Sequence, residues 1–400
     1  MRAGFVAILF LFVFLLAPQA SFPAGSGEPY RIVGRDPLPD VPVARSQREA
    51  RELLAKELPG AGGRLLLVSP HDYLATLILP LRREGALKEL AVVLPFDNVL
   101  GEEHLEQVRT FQEQAGVPEE DRKTLRLSGG SIGGAIGGMP FALYTLAGLP
   151  RQEGREFLLA LDTSFLSAVY RNEVKTPMVD LAWKLVLTLR DRRVFANRAV
   201  LFDAVGRADF PLEQGYLMIL AREMLSDPGR FSDTLPEKWR MLKAAESAYF
   251  FAQYADGMAL YRRYLEAAPG DASACYKIAM MAIRDLDVDM SLQWVNKAVE
   301  ADPLYKRAYS EIGGYLFRKD LLDAAERVLL AGLNRFPKDP LLATNLAALY
   351  LSRGEALREA GETGAAAEFF ALAADVEGAD PPMRERAKTM ADSLSGVLPK

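Results

Sequence analysis

The sequence predicts an α/β three-layer domain built on a mostly parallel sheet, followed by an all-α helical solenoid. Two observations carry that prediction. In the first half, four short apolar runs, LLLVS (65–69), LAVVLPF (90–96), EFLLALD (156–162) and RAVLFDAV (198–205), alternate with helical patterns. Runs of that length without polar alternation suit strands buried on both faces, and strands alternating with helices suit a parallel sheet. In the second half, prolines 269, 303 and 337 recur at a spacing of 34 residues, and a fixed period of that size marks a repeat architecture.

The chain opens with Arg2 and a run of fifteen apolar or small residues, AGFVAILFLFVFLLA (3–17), followed by PQASFPAGSG. This is the layout of a secretory signal peptide over 1–24, and the run is short of the roughly 20 residues of a membrane span. Cleavage is expected after Ala20 or Ala24. Pro18 and Phe22 sit poorly three residues before those cuts, so an uncleaved membrane anchor stays as the second reading. Either way the domains are expected outside the cytoplasm, most simply in a periplasm. Residues 25–63 then read as a proline-containing linker and a first charged helix, ARSQREARELLAKEL.

The α/β domain is expected over 64–235, with helices in YLATLILPLRREG, EEHLEQVRTFQEQAG and TPMVDLAWKLVLTLRDRR. Ligands of such sheets bind beyond the carboxyl ends of the strands. The residues there are His71 and Asp72 after the first strand, Asp97 after the second, Asp162 ending the third and Asp203 ending the fourth. One histidine and four carboxylates suit a hard or borderline divalent ion, manganese, zinc or iron. They equally suit helix caps and turns, since aspartates after parallel strands commonly serve there. No other cofactor is suggested.

The segment SGGSIGGAIGGMP (128–140) contains Gly129, Gly130, Gly133, Gly134, Gly137 and Gly138 within an uncharged stretch from Leu127 to Pro150. A Walker phosphate loop needs lysine after its last glycine, where Met139 and Pro140 stand. As a membrane helix it would carry six glycines at about 1 kcal/mol each and an interrupting proline. The expectation is a compact glycine-lined loop, either packed on the sheet edge or lining a pocket beside His71 and Asp162.

From 236 to 400 the 34-residue register is kept inside the units. The first helix of each pair carries Ala245, Ala279, Gly313 and Ala347 at one position, and the second helix carries Tyr261, Val295 and Leu329 at another. Gly257, Ser291 and Ala325 recur as well. Small residues where helices cross, bulky ones in grooves and a closing proline resemble tetratricopeptide (TPR) repeats. About four units are expected, with the fourth lengthened by SRGEALREAGETGAAAEF and MRERAKTMADSLSGVL as a cap. The resemblance implies an adapter that binds a protein or peptide partner on the concave face of its array. Gly332 departs from the pattern, standing where alanine is usual. DLDVDMSLQWVN (285–296) imitates a calcium loop, but Met290 and Asn296 replace its glycine and glutamate, and Asp287 or Asp289 is expected to cap a helix instead. Trp239 and Trp294 read as packing residues.

The strand-end segments VSPHDYL and LALDTSFL also resemble the arginase and deacetylase superfamily. That resemblance implies a metal held by His71, Asp72 and Asp162, with Asp97 or Asp203 assisting, and hydrolysis of an amide or amidine C–N bond. Ser164 stands in place of the motif's second aspartate, and His104, the other histidine, falls in a predicted helix. A domain that has lost such chemistry is the expected outcome. The formal charge of −5 gives no basic face for nucleic acid. The lone Cys275 excludes an intramolecular disulfide or a thiolate cluster.

Overall fold

The four apolar runs pair in parallel and form the centre of an eight-stranded sheet. The computed structural model describes residues 31–71, 73–95, 99–167 and 176–395. In chain order the strands are β1 (Val43–Ala44), β2 (Arg64–Val68), β3 (Glu89–Leu94), β4 (Arg126–Ser128), β5 (Ser131–Ile136), β6 (Met139–Thr145), β7 (Glu156–Asp162) and β8 (Phe195–Phe202). Across the sheet they run β1-β8-β7-β2-β3-β6-β5-β4. The pairings from β1 to β6 are parallel, while β5 and β4 add an antiparallel edge.

Side chains along a strand alternate between faces, and here each face feeds its own core. Leu65 and Leu67 of β2 enter one core with Ala50 and Leu54 of α1 (Gln47–Glu57) and Leu105 of α3 (Glu102–Gln114). Leu66 and Val68 enter the other, with Leu181 and Leu185 of α5 (Met178–Asp191) and Leu217 and Leu220 of α6 (Tyr216–Ser226). Burying each such side chain contributes about 1.5–3 kcal/mol. α1 starts where Ser46 accepts from Glu49 N, a donor the helix cannot satisfy itself, and the Glu49 carboxylate reaches back to accept from Arg45 N ahead of the cap. The helical stretch after β2 is a π-turn over Leu74–Ile78 running into the short α2 (Leu79–Arg83). A further short helix, α4 (Glu119–Arg122), leads to β4.

The glycine segment is neither a compact loop nor a membrane helix. It folds as β4, β5 and β6, a meander whose tight turns are Gly129–Gly130 and Gly137–Gly138, all four at positive φ. Both turns need the left-handed region that glycine enters at little cost. Gly133 and Gly134 lie inside β5, and their missing side chains hide the alternation that marks a strand. A Cβ on Gly134 would stand 2.9 Å from both Leu125 Cδ2 and Thr124 Oγ1, whereas one on Gly133 would meet nothing closer than Phe141 O at 3.9 Å. Gly134→Ala is therefore expected to destabilise the fold by about 1–3 kcal/mol through overpacking. Gly133→Ala should be near neutral. Thermal unfolding of the two variants side by side checks the contrast.

The second half forms helices in antiparallel pairs: α7 (Glu237–Phe250) with α8 (Tyr254–Ala267), α9 (Ala272–Arg284) with α10 (Val288–Ala301), α11 (Arg307–Arg318) with α12 (Leu322–Arg335), and α13 (Pro340–Glu359) with α14 (Thr363–Asp375). α15 (Pro381–Ser395) packs on the last pair. α13 spans 20 residues against 12 to 14 in the other first helices, the lengthening expected from the inserted segment. Ala245, Ala279 and Ala347 are fully buried at the crossings, and a Cβ on Gly313 would come within 2.8 Å of Leu329. Gly332 has its reason too, since a Cβ there would stand 2.9 Å from Tyr309 Cβ. Asp287 accepts from Met290 N and caps α10, as expected of it. Trp239 is fully buried and donates from Nε1 to Glu223, while Trp294 is half-buried.

The sheet and the array share one hydrophobic core and belong to one compact unit. The segment 203–215, which leaves β8, is clamped by the array. Tyr305 donates to Leu212 O at 2.8 Å, and the Arg307 guanidinium donates to the carbonyls of Arg207 and Phe210. Among the described residues, no helix is long and apolar enough to cross a membrane.

Candidate functional site

Two places gather polar side chains inside this frame: the carboxyl ends of β2, β7 and β8, and a groove where the array meets the α/β part.

At the strand ends, Asp162 is fully buried and both carboxylate oxygens are engaged. Oδ1 accepts from Ser164 N at 2.9 Å and Ser164 Oγ at 2.6 Å, closing the turn after β7. Oδ2 accepts from Ser69 Oγ at 3.1 Å, Tyr73 Oη at 2.6 Å and Arg207 Nη1 at 3.3 Å. Arg207 also donates to Tyr73 Oη at 2.8 Å and, through Nη2, to His71 Nε2. Since guanidinium has no lone pair to offer, Nε2 is the acceptor of that contact. Tyr73 sits in the left-handed region at φ 45 to reach this network. Burial and the neighbouring Asp162 hold its phenol well above the ordinary value, so it acts as a donor.

Of the sequence-derived candidates, His71 and Asp162 thus meet, with Arg207 between them. Asp203 does not join them. It is buried, accepts from Val205 N at 3.0 Å, and faces Arg45 Nε at 3.8 Å, which also reaches Asp302 of the array. Burial holds the Asp203 carboxyl above its ordinary value. Asp72 and Asp97 lie outside the described residues. Among the described residues no group of three histidine, cysteine or acidic side chains converges. The glycine turns belong to β4–β6, separated from β2 by β3. His104 lies in α3, where Nδ1 accepts from Gly101 N at 3.0 Å.

Sequence reasoning missed the groove. It has a volume of about 620 Å³ and is walled by the start of α5, the segment at Glu213–Gln214, the end of α7 and the first helix α9. Lys277 is 9% exposed and lines it, with Nζ 3.8 Å from the centre of the Tyr249 ring. Burial lowers the Lys277 pKa from its ordinary value, against the attraction of Glu213 and Glu246. Glu246 is half-buried as a residue, yet its Oε2 is sealed from solvent with no hydrogen-bond partner, while Oε1 accepts from Tyr216 Oη. Desolvation raises the Glu246 pKa to about 7. Arg284 lies on the next turns of the same face, 4.7 Å from the Tyr315 ring. At the mouth, Phe250 and Phe251 are 59% and 68% exposed.

The Glu246 shift has a consequence for stability. A carboxyl whose folded pKa lies above its unfolded value holds a proton that the unfolded chain has released. Stability is therefore greatest below pH 4.5 for this group and is lost as pH rises towards 7. Glu246→Gln should remove that loss, so the variant should gain on wild type between pH 4.5 and 7 in urea titrations. An unchanged difference across that window would show that the carboxyl titrates normally.

No protein-family model matches the chain, and no curated protein matches it by sequence. Solved structures do. The chain is similar to one described as MamA MSR-1 C2, at 14% identity over 46% of this chain and 88% of that one, with a TM-score of 0.24. It is also similar to YrrB, described as a TPR protein with an unusual peptide-binding site, at 15% identity over 56% of this chain and 97% of that one, again with a TM-score of 0.24.

Proposed function

We propose that the protein is an exported adapter that holds a protein or peptide partner on the face shared by the first helices of its array, with the α/β part as a non-catalytic support. The groove at Lys277 and Glu246 carries this reading. Buried charges without hydrogen-bonded partners are costly, and aromatic side chains exposed at a rim are the composition of a binding surface. The strand-end cluster supports the second half of the proposal. The positive charge that a divalent ion would bring between His71 and Asp162 is already supplied by Arg207, so these side chains do not fit a metal. Export rests on the N-terminal 24 residues, which lie outside the described residues, and release of the mature chain would be seen by N-terminal sequencing.

Site-specific photocrosslinking in the expressing cell tests the adapter reading. A photoreactive residue at Met280 or Arg318, on the first helices, should yield a discrete adduct, and one at Leu330, on a second helix, should not. Adducts of equal yield from all three positions, or from none, would overturn it.

A further inference from the structure

The groove is composite, since its walls come from the α/β part as well as from the array. Its lining also defines what it can hold. Two cations, Lys277 and Arg284, face two carboxylates, Glu213 and Glu246. A ligand of either charge would meet a like charge inside the groove as surely as an opposite one, so the four groups together favour an uncharged occupant. That occupant must still offer an acceptor to Lys277, which is 9% exposed. Among the described residues, Lys277 Nζ has only the Tyr249 ring as a close partner. A polypeptide main chain presents a C=O from every residue, which accepts from Lys277 without bringing net charge. Beside the uncharged polar Thr176, Gln214 and Ser247, the wall presents Pro177, Met178, Tyr254 and the exposed Phe250 and Phe251, whose rings meet edge to face at 5.3 Å.

We propose that this composite groove binds an uncharged, apolar stretch of extended polypeptide. A main-chain carbonyl accepts from Lys277 Nζ, and a large apolar side chain seats against Phe250, Phe251 and Met178. This deepens the adapter reading and rests on it. The α/β part then has a definite role, because Glu213, Gln214, Pro177 and Met178 close one side of the groove. The clamp of Tyr305 and Arg307 on segment 203–215 holds that wall in place.

The test is fluorescence anisotropy with the full chain as its host processes it and three labelled, C-amidated heptapeptides. One is Gly-Leu-Phe-Val-Phe-Leu-Gly, and the others carry aspartate or lysine in place of its two leucines. The neutral peptide is expected to bind most tightly. Lys277→Met, close in shape to lysine, and Phe250→Ser with Phe251→Ser, at exposed positions, should each weaken it at least tenfold while thermal unfolding stays cooperative. Leu330→Glu, at an exposed position on a second helix, should leave it within threefold, and Arg318→Glu and Ser352→Glu, farther along the first helices, are measured beside it. Tightest binding of the aspartate peptide, abolished by Lys277→Met, would overturn the proposal in favour of a carboxylate reader. Tightest binding of the lysine peptide would overturn it in favour of a cation site. Binding that survives the groove variants but is lost in Arg318→Glu or Ser352→Glu would sink the groove and leave the adapter reading standing. Binding of none of the three would sink the groove proposal, and the crosslinking yields at Met280 and Arg318 would then decide the adapter reading.

Discussion

Gly215→Ala is expected to destabilise the protein by about 2–4 kcal/mol, although the residue lies outside any regular strand and its φ of −58 suits alanine as well as glycine. The cause is approach, not conformation. A Cβ at 215 would stand 2.0 Å from Tyr305 Oη, the hydroxyl that donates to Leu212 O. Tyr305 is 2% exposed, so it has no open space to move into. Pushing it aside overpacks the core, at about 1–3 kcal/mol, and strands the Leu212 carbonyl, at about 1–3 kcal/mol. Tyr305→Phe alone should cost only about 1–2 kcal/mol, from the lost hydrogen bond. In the Tyr305→Phe background the colliding oxygen is gone. The next neighbours of the new Cβ, the ring carbon Cζ and Val205 Cγ2, are both 3.3 Å away, and Gly215→Ala should there cost under about 1 kcal/mol. The double-mutant cycle by urea unfolding should thus give a coupling of about 1–3 kcal/mol. Strict additivity would mean that the array is not seated on segment 203–215 through this contact.

That seating bears on what the sequence could and could not reveal. The parallel strands were legible because burial on both faces leaves a continuous apolar run, and the array because its crossing residues recur at one period. β5 was not legible, since glycines at 133 and 134 erase the alternation on which a strand is recognised. The strand-end aspartates were found by position, but their fates differ for reasons of long range. Arg207, the partner that ties Asp162 to His71, lies 45 residues beyond Asp162 in a segment without a motif. Asp203 turns to Arg45, which also reaches Asp302 of the array. The groove depends on the seating of the array, so no local pattern contains it. One signal was nevertheless present. Lys277 is flanked by Cys275, Tyr276, Ile278 and Ala279, and a lysine in so apolar a helical stretch is out of place unless its charge is put to use.

Asp162→Ala should be the other large loss, about 3–5 kcal/mol, and it separates the two readings of the strand-end cluster. The substitution removes the acceptor of five donors at once and leaves the Arg207 guanidinium, 30% exposed, with the more exposed Asp209, 3.7 Å from its Nε, in place of the buried carboxylate. Breaking a largely buried ion pair from one side costs that much because the surviving charge stays desolvated. A chain so weakened would lose its cellular role through its fold, whether or not it catalyses anything. His71→Ala is the sharper probe. The ring lies against Arg207 and Tyr73, with ring centres of His71 and Tyr73 5.8 Å apart. Arg207 keeps Asp162 and Tyr73 when the imidazole goes, so the expected loss is about 1 kcal/mol, the worth of one hydrogen bond. Under the adapter reading, His71→Ala stays folded and keeps its cellular role, while Asp162→Ala shows its damage in thermal unfolding first. A His71→Ala chain that unfolds like wild type yet fails in the cell would reverse that reading. It would mean that the imidazole acts on something other than its neighbours, and elemental analysis of wild type beside the variant would then say whether a metal is involved.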